Sequence, residues 1–544
     1  MGTVAHEVFP VGNDQRLRMN STPENVSQEL RLDQRVVLQA SVLIVALCGI
    51  VYELIIATIA SYLVGDSVYQ FSLTIGLFMF AMGMGSLVTA KFRQNLISRF
   101  VVNEVLIAIV GGLSSIILFT VFPWTVFFYP VMYSLILLIG FLVGLEIPLL
   151  IRVMSDTSGF RESVANVLAL DYFGALIGSV AFPLLLLPFL GLFRASFCIG
   201  LLNGFIAILN IYVFWDRIQR PIFWLTTTIF TLVLLMFAMV YASFIARFAE
   251  GQLYSDQIVF SRQTPYQHVV LTKSERSSEH RLYVDGHLQF AERDEYRYHE
   301  SLVHPVMSLP GPKKRVLILG GGDGLAAREV LKYAEVEKID LVDIDPEIVR
   351  LCRSFPAIKQ LNESSLDSQK LEVHNQDAFR FLRDSLATTT VGQSNSSSAN
   401  NGYDRVIIDL PDPHNEALCK LYSVEFYKLV RQNLRAGGCF VTQSASPWVT
   451  REAYWSVAKT IEAAELETYS YHITVPNFGV WGFHLATDKI GTPDFRIQAE
   501  TRYLTDEIMK HATIFGKDES RENGVVNSIF EPKLYLIYHR GLKE

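Results

Sequence analysis

The stretch Arg315–Glu347, RVLILGGGDGLAAREVLKYAEVEKIDLVDIDPE, decides the fold of the second half of the chain. An apolar run from Val316 to Leu319 leads into a glycine-rich loop and a helical pattern, and a second apolar run ends at Asp343. A strand, a glycine loop, a helix and a strand in this order form the unit that holds adenosine-containing ligands in doubly wound sheets. The sequence therefore predicts a nucleoside site at this loop.

Composition divides the chain into two halves. Of its 544 residues 50% are hydrophobic and only 19% are charged, and the apolar runs concentrate between Val36 and about Ala246. The five cysteines have neither disulfide nor zinc spacing, and a net charge of −7 is not typical of a nucleic-acid-binding protein. We therefore expect no nucleic-acid partner and no bound metal.

Seven segments in the first half approach the about 20 apolar residues that a membrane-spanning helix needs. They are 38–62, 69–90, 104–121, 127–151, 167–191, 195–215 and 222–246. Short links join them. The sequence predicts an N-terminal all-α polytopic membrane bundle of about seven helices at residues 36–248, in contact with the lipid bilayer, after a flexible polar tail at residues 1–35.

Three acidic residues, Glu53, Glu146 and Asp171, fall inside these apolar segments. Ionisable groups at such depth are costly and usually face a cavity or a partner. Two interpretations stay open. The acids form a cation or amine site between helices, or they are structural, with Glu146 paired to Arg152.

The charge distribution and the inferred substrate predict opposite orientations of the bundle. Lysine and arginine cluster in the tail and in alternate links, so the positive-inside rule places the tail in the cytoplasm. Seven crossings would then place everything after Arg247 outside. Because the substrate inferred below is cytosolic, we expect an inner-membrane protein with a cytoplasmic catalytic domain. One re-entrant segment, or helix packing that overrides the charge bias, would reconcile the two.

The second half has the pattern of a soluble enzyme. Short runs of alternating apolar and polar residues, with a turn at Asp285-Gly286, predict a small antiparallel β domain at 250–300. The segment Ala291–Glu300 is predicted to begin a helix. Strands alternate with helices from there on, which predicts a C-terminal α/β Rossmann-like, methyltransferase-like doubly wound sheet at 301–495. The predicted strands are 315–320, 338–343, 371–375, 404–409 and 438–443. A disordered insertion is predicted at 384–402 and a C-terminal extension at 496–544.

Acidic residues collect at the ends of these strands. Asp343, Asp377, Asp409 and Asp412 follow strand ends, and the glycine loop adds Asp323. Ligands of doubly wound sheets bind beyond the carboxyl ends of the strands. A helix cap accounts for one such residue and not for five. The sequence therefore predicts an acidic site.

The glycine loop indicates which ligand the site takes. Gly320 and Gly322 are followed by Leu325 where a dinucleotide loop has its third glycine, and Asp323 would repel a pyrophosphate. A nucleoside without phosphate fits better, with Asp343 placed for its ribose hydroxyls. Sulfonium nucleosides are such ligands, and S-adenosylmethionine would bring its carboxylate close to that of Asp323. Two like charges about 4 Å apart cost roughly 4 kcal/mol at an effective dielectric near 20. Asp323 therefore favours decarboxylated S-adenosylmethionine over S-adenosylmethionine, which carries a carboxylate.

Six motifs follow one another between Tyr254 and Ala486: Tyr266-Gln267, Glu292–Glu300, GGGDG at Gly320–Gly324, DIDPE at Asp343–Glu347, NQDA at Asn375–Ala378, and YDRVIIDLPDP at Tyr403–Pro413. In these motifs and in their order the chain resembles the aminopropyltransferase (spermidine synthase) family. With its apolar first half, the whole chain is similar to the membrane-anchored bacterial members.

The resemblance implies a polyamine-lengthening transferase that releases 5′-methylthioadenosine. It needs no cofactor, has decarboxylated S-adenosylmethionine as co-substrate and forms a homo-oligomer. Asp409 would be the catalytic acid–base. The donor-binding residues implied or expected are Gln267, Gly320, Gly322, Asp323, Asp343, Asp377 and Ala378. Those for the acceptor are Tyr298, His299, Asp412 and Phe478.

Three departures leave the acceptor open, putrescine or another di- or polyamine. The family's D-S-S-D becomes Asp409-Leu410-Pro411-Asp412, an acceptor-site glutamine becomes His299, and the late tyrosine loop becomes VPNFGVWGF. Three other functions stay open as well. One is a polyamine transporter or sensor whose C-terminal half binds polyamine without turnover, and another is an ordinary methyltransferase. The third is a purely structural membrane protein with a degenerate enzyme fold.

Overall fold

The computed structural model describes residues 31–64, 67–122, 124–158, 160–251, 253–391, 402–488 and 493–543. Residues 1–30 of the predicted tail and residues 392–401 of the predicted insertion lie outside this part of the chain. The tail prediction runs slightly too far, because the first helix begins at Leu32.

The first half is a bundle of long apolar helices. They are α1 (Leu32–Val64), α2 (Ser67–Thr89), α3 (Leu96–Val121), α4 (Thr125–Ser158), α5 (Phe160–Ala181), α6 (Leu187–Val213) and α7 (Pro221–Val240), followed by the short α8 (Ala242–Gly251). In the part of the chain described, six helical runs are long and apolar enough to cross a membrane. The sequence predicted seven.

The difference lies in the run Phe160–Val213, whose 54 residues contain the fifth and sixth predicted segments. Such a helix would be about 80 Å long at 1.5 Å per residue, far more than a bilayer needs. Gly191 has φ 69° and ψ 179°, values outside the helical region, so the run is broken there. The apolar run is continuous, but it is not one straight helix.

Contacts with α1 give the direction of each part of this run. A Cβ on Gly174 would lie 2.2 Å from the carbonyl oxygen of Leu43, and one on Gly178 would lie 2.8 Å from that of Leu47. Residue numbers rise together on the two helices. α5 therefore runs parallel to α1.

α6 runs the other way. The Asn210 amide donates to Ser41 Oγ at 2.8 Å, and the Cys48 thiol lies 4.0 Å from the carbonyl oxygen of Ile199. Along the contact, residue numbers decrease on α6 as they increase on α1, so the two helices are antiparallel. The 54-residue run therefore folds back at its break, and the six apolar runs make seven passes along the bundle. The chain enters at one end and leaves α7 at the other.

Glycines let α2 and α4 touch backbone to backbone. A Cβ on Gly85 would lie 2.1 Å from the carbonyl oxygen of Phe141, and one on Gly144 would lie 2.1 Å from that of Met82. Small residues at such crossings allow the close approach on which helix packing in lipid depends.

The predicted small antiparallel unit is present. Its four strands, in spatial order, are β1 (Gln257–Gln263), β2 (His268–Lys273), β3 (His280–Val284) and β4 (His287–Ala291). It contacts the bundle directly, since Tyr62 Oη near the end of α1 lies 2.7 Å from His268 Nδ1. The second half of the chain, which becomes the catalytic half in the account below, therefore lies at the end of the bundle opposite Leu32.

A seven-stranded sheet forms the catalytic half, in the order β10-β11-β9-β8-β5-β6-β7. Its strands are β5 (Arg315–Gly320), β6 (Lys338–Val342), β7 (Leu371–His374), β8 (Tyr403–Asp409), β9 (Leu434–Gln443), β10 (Glu467–Val475) and β11 (Gly479–Thr487). The five predicted strands are confirmed and pair in parallel. β10 and β11 add an antiparallel hairpin at one edge, which the sequence did not predict.

Helices cover both faces of this sheet. They are α9 (Glu295–Ser308), α10 (Leu325–Leu331), α11 (Pro346–Ser354), α12 (Pro356–Leu361), α13 (Ala378–Val391), α14 (Glu416–Cys419), α15 (Val424–Asn433), α16 (Arg451–Ala463), α17 (Asp506–Ala512) and α18 (Leu534–Gly541). α9 begins inside the predicted segment. α13 runs to Val391, so residues 384–391 of the predicted insertion are helical and that part of the prediction is wrong.

We predict that Gly85→Ala destabilises the bundle by roughly 1–3 kcal/mol, because the added methyl group would meet backbone that cannot move alone. Gly83→Ala is the matched control on α2, since a Cβ there meets nothing within 4 Å. Helix propensity alone would make that control neutral or up to about 1 kcal/mol stabilising. Thermal unfolding of both variants in detergent measures the difference. Equal midpoints would contradict the packing described.

Candidate active site

One cavity of about 550 Å³ opens beyond the carboxyl ends of β5, β6 and β8. Every residue predicted to bind the donor or the acceptor lines it: Gln267, Tyr298, His299, Gly320, Gly322, Asp323, Asp343, Asp377, Ala378, Asp409, Asp412 and Phe478. The structure thus brings together residues up to 211 positions apart, from Gln267 to Phe478. The three membrane-segment acids are not among its lining residues.

The glycine loop allows neighbouring strand ends to approach each other. Gly320 has φ 83°, and a Cβ there would lie 1.9 Å from the carbonyl oxygen of Asp409. A Cβ on Gly322 would lie 2.5 Å from Asp343 Oδ2, which accepts the Gly322 amide at 3.0 Å. Only glycine fits at either position, and the absence of side chains leaves the floor of the cavity open to a ligand.

Asp323 is held at the start of α10. Its Oδ1 accepts the Leu325 amide at 2.9 Å, and its carbonyl oxygen accepts the side-chain amide of Asn362 at 2.8 Å. Burial raises the pKa of this carboxyl to about 6, with the nearby His299 opposing the shift. The geometry fixes an acidic group inside the glycine loop.

Asp323, Asp409 and His299 form the centre of the site. Each offers one ligand atom, and these atoms all lie within 4.8 Å of one another. Burial alone would lower the pKa of His299, but the hydrogen bond to Glu295 and the charges of Asp323 and Asp409 raise it to about 9. His299 is therefore an imidazolium at neutral pH, between two carboxylates.

A buried ion pair fixes the orientation of that imidazolium. His299 Nδ1 donates to Glu295 Oε2 at 2.9 Å, and Arg328 donates to both Glu295 oxygens at 2.9 and 3.0 Å. Glu295 and His299 are one helical turn apart on α9. With Nδ1 engaged, Nε2 is the ring nitrogen left for the cavity. The sequence reasoning missed both Glu295 and Arg328.

Asp409 ends β8 at the middle of the cavity. The Tyr298 hydroxyl donates to its Oδ1 at 2.7 Å. Burial raises the pKa of Asp409, with His299 and the Tyr298 hydrogen bond opposing the shift. The arrangement offers a carboxylate with one oxygen fixed by a phenol, next to a protonated imidazole.

Two donor-side residues already have partners. Asp377 Oδ2 accepts the Lys420 ammonium at 2.6 Å and Oδ1 accepts the Arg380 amide at 2.9 Å, which lower the pKa of Asp377 despite burial. Gln267 Nε2 donates to Asp345 Oδ2 at 3.0 Å. A ligand that binds Asp377 must share it with Lys420, a cavity residue that the sequence did not predict.

The residues predicted to bind the acceptor combine a carboxylate with an aromatic wall. Asp412 Oδ1 accepts Gln443 Nε2 at 3.1 Å and Oδ2 accepts the Tyr538 hydroxyl at 2.8 Å. The rings of Phe478 and Trp481 have centroids 5.2 Å apart and line the same cavity. This wall is apolar, as the sequence predicted for the VPNFGVWGF loop.

Gln443 and Tyr538 were both missed. Gln443 ends β9, so the strand-end rule that selected the aspartates would have found it. Tyr538 follows Asp412 by more than a hundred residues and lies on α18, where no sequence pattern indicates a site. The C-terminal extension therefore contributes directly to the cavity.

The acids of the bundle are separate from this cavity. Glu53 and Glu146 are buried and Asp171 is half-buried. Arg152 donates to the carbonyl oxygens of Thr89 and Phe92 at 2.6 and 2.8 Å, so the pairing with Glu146 that one of the two interpretations offered is not formed. Glu146 lies instead beside the fully buried Glu104 of α3, which the sequence reasoning overlooked.

Comparisons with known proteins agree with the geometry. The family model of the spermine/spermidine synthase domain matches residues 295–494. The chain is 40% identical over 508 residues to a polyamine aminopropyltransferase of Oceanobacillus iheyensis, covering 92% of this chain and 96% of that protein. A protein of the same name from Leptospira interrogans is 40% identical over 503 residues, covering 92% and 98%.

Among solved structures, spermidine synthase from Thermotoga maritima is 24% identical, with a TM-score of 0.41, and covers 48% of this chain and 84% of that chain. The two bacterial relatives match nearly the whole chain, and 92% coverage cannot be reached without the helical bundle. This protein therefore belongs to the spermine/spermidine synthase family of polyamine aminopropyltransferases.

Proposed function

We propose that the protein transfers the aminopropyl group of decarboxylated S-adenosylmethionine to an amine acceptor, putrescine or another di- or polyamine. The products are a longer polyamine and 5′-methylthioadenosine. The observation that carries the proposal is the placement of Asp323 and Asp409 within 4.8 Å of each other and of His299 at the wall of one cavity. The relatives' names support the same reaction.

The donor binds on the side of β5 and β6. Asp343, half-buried directly after β6, accepts hydrogen bonds from the ribose hydroxyls, and Asp377 binds the adenine amino group. Asp323 binds the ammonium of the aminopropyl arm, with Gln267 beside it. A donor that keeps its carboxylate would bring like charges together near Asp323, at a cost of roughly 4 kcal/mol for a 4 Å separation.

The acceptor binds between Asp409 and Asp412, with Tyr298 and Phe478 along its chain. An alkylamine with a pKa of about 10.4 is mostly protonated at neutral pH, so the neutral nucleophile costs roughly 4–5 kcal/mol to present. Asp409 accepts the proton of the attacking amine. The nitrogen lone pair forms a bond to the aminopropyl carbon, and the carbon–sulfur bond breaks with its electron pair going to sulfur.

The displacement neutralises the sulfonium and needs no covalent intermediate, so positioning accounts for much of the rate. His299, Asp323 and Asp409 have the spacing of metal ligands, but the proposed chemistry routes no step through a metal. We propose that the enzyme has no cofactor.

We further propose that the bundle lies in the inner membrane with the catalytic half in the cytoplasm. The apolar helices support the membrane environment. The donor carries fixed positive charge and does not cross a bilayer, so the site must face the compartment where sulfonium nucleosides are made. Homo-oligomer formation stays a prediction.

We predict that Asp409→Asn lowers 5′-methylthioadenosine release by roughly 10²–10⁴-fold, because the amide cannot accept the amine proton. Chromatography of reactions with decarboxylated S-adenosylmethionine and a panel of amines measures the loss. Asp494→Asn, which removes an exposed charge outside the cavity, is the control and should keep the wild-type rate. The wild-type rate should also survive EDTA. No release from the wild type with any amine would refute the proposed reaction.

We predict that Asp323→Asn narrows the preference for the decarboxylated donor over S-adenosylmethionine by on the order of 10²–10³-fold. The reason is that the carboxylate–carboxylate repulsion of roughly 4 kcal/mol disappears. Titration calorimetry with both nucleosides gives the ratio of dissociation constants. A ratio equal to that of the wild type would show that another residue excludes the carboxylate.

A reporter fused after Glu544 tests the orientation. Seven passes put the basic links at the end opposite the catalytic half; their residues are Lys91, Arg93, Arg99, Arg152, Arg161, Arg217 and Arg220. A cytoplasmic site therefore requires this end to face outward, against the positive-inside rule. We predict a fluorescent green fluorescent protein fusion and an inactive alkaline phosphatase fusion. The reverse pattern would refute the proposed orientation.

A further inference from the structure

The C-terminal helix α18 reaches the cavity from outside the matched domain, which ends at residue 494. Its Tyr538 hydroxyl donates to Asp412 Oδ2 at 2.8 Å. We propose that Tyr538 is a positioning residue for the acceptor: it fixes Asp412, in its charged form, against the amino group of the acceptor that does not react. This inference rests on the proposed aminopropyl transfer and adds a residue to its acceptor site.

α18 is firmly attached to the catalytic half. Asn527, 1% exposed, donates to the carbonyl oxygens of Cys419 and Tyr422 at 2.9 and 3.0 Å, and its Oδ1 accepts the Lys533 amide at 3.1 Å where the helix begins. Leu534 is fully buried in the core beneath it. The helix therefore holds its side chains at fixed positions over the cavity.

Two consecutive side chains of α18 contact the loop that follows β8. Tyr538 binds the Asp412 carboxylate, and His539 Nε2 donates to the carbonyl oxygen of His414 at 2.7 Å. Both acceptors lie within six residues of the proposed base Asp409. Contact at two points fixes the loop in register with the helix, and thus the position of Asp412 relative to Asp409.

Tyr538 also supplies one of two hydrogen bonds that favour the Asp412 anion. Burial raises the pKa of Asp412 to about 6, while the hydrogen bonds from Tyr538 and Gln443 oppose the shift. Without the Tyr538 hydroxyl the pKa of Asp412 would rise further, because a hydrogen bond to the charged form would be lost. At neutral pH a larger fraction of Asp412 would then be protonated and would bind an ammonium weakly.

No other group near Asp412 takes over this role. The titratable side chains around it are Tyr298, Tyr422, His287, His414 and His539. Burial raises the pKa of both tyrosines and lowers that of His414 to about 4, with His287 also lowered. The two tyrosines and His414 are therefore neutral at pH 7. Among the described residues, Gln443 and Tyr538 donate the side-chain hydrogen bonds that stabilise the Asp412 charge.

Tyr538→Phe tests this inference with the full-length protein, because it removes one hydroxyl and keeps the ring that packs in the core. The KM for the best diamine or polyamine acceptor should rise roughly ten- to hundredfold, the range for a hydrogen bond to a charged group. The KM for the donor should stay within about twofold. The acid limb of kcat/KM for the acceptor should move to higher pH, because Asp412 then protonates at higher pH.

Three comparisons separate positioning from a general structural role. The monoamine that lacks the distal amino group of that acceptor should show no change in KM, and Tyr538→Phe should add nothing in an Asp412→Asn background. Tyr469→Phe makes the same chemical change on β10, away from the cavity, and should behave as the wild type.

An unchanged acceptor KM in Tyr538→Phe, an equal change for diamine and monoamine, or a full effect without Asp412 would each overturn the inference while transfer by the wild type stands. A wild type that releases no 5′-methylthioadenosine with any amine would overturn the proposed function, and this inference with it.

Discussion

The catalytic half depends on the close contact between the glycine loop and the end of β8. Gly320 lies so near the Asp409 carbonyl that a single methyl group would occupy the same space, with a Cβ at 1.9 Å. This contact helps to bring Asp323 and Asp409 close to His299, which hydrogen-bonds to Glu295, itself paired with Arg328. Two carboxyl groups and one buried histidine therefore share the centre of the cavity, which is an environment suited to cationic substrates.

The bundle contacts the catalytic half directly, since Tyr62 Oη lies 2.7 Å from Nδ1 of His268. His268 follows Gln267, which lines the cavity, in the sequence. Because the chain folds back at Gly191, the six apolar runs make seven passes along the bundle. The catalytic half and the basic links between the helices therefore lie at opposite ends of the bundle. Substrate chemistry and charge distribution then favour opposite orientations. The conflict seen in the sequence is sharpened by the structure, because the helices described make seven passes along the bundle.

Local patterns predicted much of this structure. The alternation of apolar strand patterns with helical patterns predicted the parallel strands. The aspartates at the strand ends predicted the position of the cavity, since the carboxyl ends of parallel strands share one edge of the sheet. Local patterns could not predict contacts between segments that are distant in the sequence. Neither the hydrogen bond from Tyr538 to Asp412 nor the ion pair of Lys420 with Asp377 follows from sequence spacing. One of the two interpretations of the buried acids paired Glu146 with Arg152, a basic residue nearby in the sequence. Arg152 instead binds backbone carbonyl oxygens of another helix.

The central claim is that a three-carbon amine moves intact from sulfur to nitrogen. The most direct measurement uses decarboxylated S-adenosylmethionine with ¹³C at the aminopropyl carbon bonded to sulfur, followed by mass spectrometry of both products. The account predicts that the label appears entirely in the lengthened polyamine, bonded to its new secondary amine, and that the 5′-methylthioadenosine is unlabelled. Label retained on the nucleoside, or a methylated amine in its place, would contradict it.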